Sequence, residues 1–194
     1  MIISDFVMHR VNTISELKKT NVKFWVEVDL RTNQKDIIIN HDPFLPSERL
    51  VDYLQAFNHA GIILNTKVDG IEDNLIQLMN HFGINNYFFL DLPIPTIIKL
   101  SRVGFRKIAV RYSEYEPLAF VKEFQNLVDW VWVDCFNKNS LTSEVYNYLR
   151  QYFKVCLVSP ELQRHSLDWI ISFKNAYNGF EIDAVCTKKP ELWK

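Results

Sequence analysis

The sequence predicts an α/β protein, a small (β/α)8 TIM barrel, and three observations carry that expectation. Short apolar runs alternate with amphipathic stretches over the whole length. Eight runs read as strands, and those apolar throughout, such as Tyr87 to Leu90 and Trp130 to Val133, are the mark of burial on both faces in a parallel sheet covered by helices. Every one of them ends in polar side chains. No linker-like segment divides the chain, so residues 1–194 are expected to form one domain.

Taken in order, Ile2 to Met8 reads as the first strand, and Thr13 to Lys19 as a brief helix with Ile14 and Leu17 inward. Lys23 to Asp29 is the second strand. The polar stretch Thr32-Asn33-Gln34-Lys35-Asp36 reads as a turn into the apolar run Ile37 to Asn40. Pro46-Ser47-Glu48 is expected to open a helix with Leu50, Val51, Leu54 and Phe57 at helical spacing, and Gly61 is placed to stop it. A strand begins at Ile62, followed by a helix from Glu72 to Phe82, a strand from Tyr87 to Leu90, a helix from Pro95 to Val103 and a strand from Lys107 to Val110. The rhythm continues with a helix from Pro117 to Leu127, the strand Trp130 to Val133, a helix from Ser143 to Tyr152 and a strand from Val155 to Val158. A long helix from Glu161 to Tyr177, the strand Ile182 to Cys186 and a single turn from Pro190 to Trp193 close it.

Apolar residues at 48% and charged residues at 23% are ordinary for a globular protein and set aside disordered, collagen-like and disulfide-scaffold classes. A formal charge of −1 and the lack of a basic block offer no electrostatic footprint for nucleic acid. Cys135, Cys156 and Cys186 are odd in number, widely spaced and set in or beside apolar runs, which suits buried reduced thiols. The first residues, MIISDFVMHR, lack the pattern of a secretory leader, and no later segment approaches eighteen apolar residues. The expectation is a cytoplasmic protein with no membrane insertion.

In such a barrel the C-terminal strand ends and the loops after them form the active site. Those positions hold His9 and Arg10, Glu27 and Asp29, His41 and Asp42, Asn65 and Lys67, Asp91, Arg111, Asp134, Ser159 and Glu161, and Thr187 and Lys188. Asp91, Asp134, Ser159 and Thr187 read as helix caps or solvent contacts. The densest chemistry lies in Lys23 to Phe44. Glu27 and Asp29 are one residue apart, so in a strand both carboxylates leave the same face about 7 Å apart. They offer hard oxygens to Mg²⁺ or Ca²⁺. His9 and His41 belong to the residue type that titrates near neutrality, fit for accepting a proton from an attacking hydroxyl and giving one to a leaving oxygen. Asp42 is placed to orient an imidazole or a metal, and Arg10 and Lys67 to clamp phosphate oxygens. His59, His81 and His165 sit in or beside helical stretches and read as surface or packing residues.

His9-Arg10, Glu27-Val28-Asp29, Thr32, His41-Asp42 and Asn65-Thr66-Lys67, in this order, resemble the glycerophosphodiester phosphodiesterase family, within the phosphatidylinositol phospholipase C-like phosphodiesterases. The resemblance is specific through the first 45 residues and weaker to Lys67; beyond that it rests on the strand rhythm. It implies a (β/α)8 barrel, a divalent cation held by Glu27, Asp29 and Asn65, phosphate binding by Arg10 and Lys67, and a small-molecule phosphodiester substrate; Asp42, beside His41, and Arg111, at its strand end, are expected to support the site. It also implies a mechanism with two histidines, His9 and His41, in which a neighbouring hydroxyl attacks phosphorus and water opens the cyclic phosphate. Three features depart from the family pattern. Val11 replaces a glycine, Asn65 stands where a third metal-binding glutamate is usual, and Val68-Asp69-Gly70 passes directly into a helix without the usual insertion. An amide oxygen can ligate a divalent cation but lacks the carboxylate's charge, which predicts weaker metal binding.

Two other readings accommodate the same residues. One is a barrel that binds a phosphorylated ligand without efficient turnover, which the Asn65 substitution favours. The other is an unrelated barrel enzyme using Lys67 as a Schiff-base or proton-transfer residue, which leaves Glu27, Asp29 and His41 without a role.

Overall fold

The computed structural model describes residues 1–33 and 35–194; Gln34, within the expected turn, lies outside them. Backbone contacts divide the chain into two compact units, one of residues 8–99 and one of residues 1–7 with 100–194.

The chain opens with β1 (Ile2–Met8). In the unit of residues 8–99, α1 (Ile14–Lys19) starts on a capping box, in which the Thr13 hydroxyl accepts the Glu16 N–H and the Glu16 carboxylate accepts the Thr13 N–H. Such an N-cap contributes about 1 kcal/mol and holds the residues before it in place. β2 (Trp25–Thr32) pairs in parallel with β5 (Gly61–Thr66), and β5 with β6 (Tyr87–Leu90). Beyond Asp29 the end of β2 also pairs antiparallel with β3 (Ile37–Ile39), which pairs antiparallel with β4 (Glu48–Arg49). Helices α2 (Leu50–Gln55), α3 (Glu72–His81) and α4 (Ile94–Arg102) follow β4, β5 and β6. Val26, Val28, Leu30, Ile62, Leu64, Leu75, Met79 and Phe88 have no exposed surface and form the core here, each contributing about 1.5–3 kcal/mol through burial.

In the other unit β7 (Ala109–Tyr112), β8 (Trp130–Val133), β9 (Lys154–Val158) and β10 (Glu181–Thr187) run parallel in that order, with β1 beside β10. Helices α5 (Leu118–Lys122), α6 (Ser143–Tyr152), α7 (Asp168–Ala176) and α8 (Pro190–Trp193) intervene or follow. Val131, Val155, Cys156, Val185 and Cys186 are fully buried, and all three cysteines are free thiols.

All eight expected strands are present and the α/β class holds, but the regular all-parallel barrel does not. The β3–β4 hairpin brings the strands among the described residues to ten and makes the sheet mixed. The hairpin also displaces the helix expected from Pro46: Glu48 and Arg49 pair with Ile39 and Ile38, so helix begins only at Leu50. Gly61 does not stop that helix. It starts β5, and a Cβ there would meet the Trp25 ring at 2.4 Å. The helix expected from Glu161 to Tyr177 is broken, because Arg164 takes φ +67 after a 3-10 turn at Pro160–Gln163 and α7 starts afresh. No helix among the described residues is long and apolar enough to cross a membrane.

Candidate active site

Side chains along a strand alternate between faces, so β2 sends Val26, Val28 and Leu30 to one face and Glu27 and Asp29 to the other. Both acids are fully buried. Parallel register sets Asn65 of β5 opposite Asp29. The Asn65 amide donates to Glu27 Oε1 at 2.8 Å, and its carbonyl oxygen accepts from Lys67 Nζ at 2.6 Å. The Lys67 ammonium fixes the amide's orientation, since an ammonium only donates. Lys67 follows β5 by one residue, anchored by its backbone N–H to the Leu30 carbonyl at 2.9 Å. Its ammonium donates to Asp91 Oδ2 at 3.0 Å and lies 3.5 Å from Asp29 Oδ1.

The segment after β1 closes over the acids. The Val11 N–H donates to the Glu27 carbonyl at 2.9 Å, and the Arg10 N–H to Glu27 Oε2 at 2.7 Å. Arg10 makes the second bond at φ +54, a left-handed conformation that costs a non-glycine residue on the order of 1–3 kcal/mol; Asp91 stands at φ +63. Asn12 and Asp29 exchange bonds: the Asn12 amide donates to Asp29 Oδ2 at 2.9 Å, and the Asp29 N–H to Asn12 Oδ1 at 3.0 Å. The buried Tyr53 hydroxyl donates to the Val11 carbonyl at 2.9 Å. Arg10 Nε stands 3.6 Å from Asp29 Oδ2 and His9 Nε2 3.9 Å from Glu27 Oε2. Burial, and then the Asp29 charge, push the Glu27 carboxyl up to about 7 against the lowering effect of Asn65, the Arg10 N–H and Lys67.

His9, Arg10, Glu27, Asp29, Asn65 and Lys67 are therefore brought together at one strand end. His41 is tied to that end through backbone: the Asn40 N–H donates to the Asp29 carbonyl at 2.9 Å and Arg31 Nε to the His41 carbonyl at 3.0 Å. Its half-exposed ring bonds Asp42 Oδ1 at 2.8 Å. Arg111 lies in the other unit, bonded to Asp134 and 3.6 Å from Glu116. Sequence reasoning missed Asn12 and Tyr53 and read Asp91 as a cap. A polar residue just ahead of a capping box was the one visible sign of Asn12. His59 bonds the Thr20 carbonyl at 3.2 Å and His165 stacks on Trp169 at 3.8 Å, both packing roles.

A divalent cation takes six or more oxygens, and the protein's share would here come from Glu27, Asp29 and Asn65. Both Glu27 oxygens already accept N–H donors, and Asp29 Oδ2 accepts from Asn12. Asn65 turns its NH₂ toward Glu27 and its oxygen to an ammonium. Asp29 Oδ1 alone among these carboxylate oxygens has no hydrogen-bond partner, and it faces Lys67 at 3.5 Å. Among the described residues no group of three His, Cys, Asp or Glu side chains is disposed to hold a metal ion. The expected Mg²⁺ or Ca²⁺ does not fit this donor set, because the Asn65 oxygen is turned to the Lys67 ammonium and that ammonium stands 3.5 Å from the one carboxylate oxygen left without a hydrogen-bond partner.

No protein-family model matches the chain, and no characterised protein matches it by sequence. Solved structures do. The glycerophosphodiester phosphodiesterase of Agrobacterium tumefaciens superposes with a TM-score of 0.71 at 13% identity over 98% of each chain. A glycerophosphoryl diester phosphodiesterase from Parabacteroides distasonis gives 0.63 at 14% identity over 99% of this chain and 85% of the other. The tryptophan synthase α-subunit of Pyrococcus furiosus gives 0.53 at 12% identity over 96% and 86%. At such identities the likeness establishes architecture: the chain has an α/β fold resembling a (β/α)8 barrel, shared along nearly its whole length with solved glycerophosphodiester phosphodiesterases.

Proposed function

We propose that residues 1–194 act as a single phosphodiesterase-like domain that cleaves a small glycerophosphodiester-like or glycan-linked phosphodiester at the strand ends of β2 and β5. The observation that carries this reading is the convergence of His9, Arg10 and Lys67 on the buried Glu27–Asp29 pair. Arg10 and Lys67 would bind the phosphate oxygens, their charge being worth most where water is excluded. Of His9 and His41, one takes the proton from the attacking hydroxyl and the other gives a proton to the leaving oxygen. The resulting cyclic phosphate is opened by water with the two roles reversed. Glu27 stands behind His9 and Asp42 behind His41, each a carboxylate able to stabilise an imidazolium. Fold likeness to solved glycerophosphodiester phosphodiesterases supports the substrate class by analogy. The test is turnover of a phosphodiester panel by wild-type protein and by His9→Ala and His41→Ala. Turnover lost in both variants upholds the reading, and its absence in the wild type removes it.

A second reading, a site that binds a phosphorylated ligand without turnover, draws on the half-exposed His41 ring, whose hydrogen bond goes to Asp42. Calorimetric binding of glycerol phosphate without hydrolysis, unchanged in His41→Ala, would favour it.

A further inference from the structure

We propose that the Lys67 ammonium is the resident cation of the Glu27–Asp29 site, held where a divalent ion would otherwise be required, so that the site works without a divalent metal. This rests on the phosphodiesterase reading only for the chemistry served, since the occupant of the site is a separate question with its own readout.

Two buried carboxylates on one strand face need positive charge or hydrogen-bond donors to remain ionised. A carboxylate opposite them would add a third negative charge. Asn65 instead presents a donor to Glu27 at 2.8 Å and an acceptor to Lys67 at 2.6 Å, a two-sided role that an ionised glutamate, which only accepts, cannot fill. Asn65 thus joins a carboxylate to an ammonium. The ammonium in turn reaches Asp91 at 3.0 Å and stands 3.5 Å from Asp29 Oδ1, a fully buried oxygen without a hydrogen-bond partner. A lysine carries three N–H donors. Asn65 and Asp91 take two, leaving one for Asp29 Oδ1 or for a phosphate oxygen. A divalent ion drawn to that oxygen would meet the ammonium head-on at a distance where like charges in a buried site repel strongly. Lys67 is only 19% exposed, and its backbone N–H is pinned to the Leu30 carbonyl, so it is not a surface lysine that swings freely away.

The experiment follows Mn²⁺ binding by calorimetry and by electron paramagnetic resonance, together with phosphodiester turnover after exhaustive EDTA treatment. The wild type is expected to bind no stoichiometric Mn²⁺ at millimolar concentration, and its turnover to survive EDTA within about twofold. Lys67→Met is expected to lose turnover by on the order of 10²- to 10³-fold, with Lys67→Arg recovering part of it by keeping the charge. The double variant Asn65→Glu with Lys67→Met is expected to acquire a Mn²⁺ site. One Mn²⁺ bound by the wild type and lost in Asp29→Asn, or turnover abolished by EDTA and restored by Mg²⁺, Ca²⁺ or Mn²⁺, overturns the proposal and leaves the phosphodiesterase reading intact. If no condition gives turnover, that reading falls and Mn²⁺ binding alone decides the present one: none in the wild type upholds it, a stoichiometric site overturns it. The wild-type titration also decides it should the Lys67 variants fail to fold.

Discussion

Two groups of acids stand at strand ends, one in each compact unit, and they are satisfied in different ways. After β9 and β10, Glu161 accepts from the Ser159 and Thr187 hydroxyls and from the Lys188 N–H at 3.0 Å. At the end of β8, Asp134 accepts from the Cys135 N–H at 2.9 Å and the Gln163 amide at 2.7 Å, with Arg111 on its other oxygen. Every oxygen there has a donor, and the network fastens loops. At the end of β2, by contrast, one oxygen of Asp29 lacks a donor and Glu27 is pushed up to about 7. Uncompensated charge gathers where a ligand can complete the arrangement. Complete hydrogen bonding marks a scaffold.

That contrast can be broken most forcefully at the histidines. His9→Ala or His41→Ala should lower phosphodiester turnover by about 10²- to 10⁴-fold, whereas His165→Ala should leave it within about twofold. Comparable losses in all three would erase the distinction.

A pH series sharpens it next. An acid whose folded pKa is raised binds a proton that the unfolded chain has already lost between the ordinary glutamate value and about 7. Stability therefore falls as pH rises through that window and levels off above it. For Glu27 the full effect is on the order of 3 kcal/mol, and Glu27→Gln should flatten the slope in urea unfolding measured from pH 4.5 to 8. An equally steep slope in that variant would contradict the assignment to Glu27.

Smaller effects are expected where the network is structural. Glu161→Gln replaces an acceptor with a donor facing the Ser159 and Thr187 hydroxyls, and should cost about 1–3 kcal/mol in thermal unfolding with turnover unchanged. Gly61→Ala, which drives a Cβ to 2.4 Å from the Trp25 ring, should cost a similar amount. A fall in turnover without a fall in melting temperature for Glu161→Gln would move that acid into the site.

Much of the fold was legible because parallel strands buried on both faces leave unbroken apolar runs such as Ile62 to Leu64 and Trp130 to Val133. The β3–β4 hairpin was not, since Glu48 and Arg49 look like a helix start until Ile39 and Ile38 pair with them. Arg164 broke an otherwise helical pattern by taking φ +67, a choice that no local propensity dictates for arginine. At the site, Glu27 and Asp29 could be read from their spacing, because strand geometry alone puts them on one face. Asn12 could not, because its role depends on meeting Asp29, 17 residues away, across two elements. Asn65 was visible as a departure from the family pattern, but its use as a bridge between Glu27 and Lys67 depends on tertiary geometry.

Whether the Glu27–Asp29 strand end cleaves a phosphodiester is read from phosphorus NMR of a glycerophosphodiester incubated with the protein. A cyclic phosphodiester resonance that rises and then gives way to a monoester, and is absent with His9→Ala, is the predicted result. An unchanged substrate spectrum with the wild type, or the same conversion with His9→Ala, would contradict it.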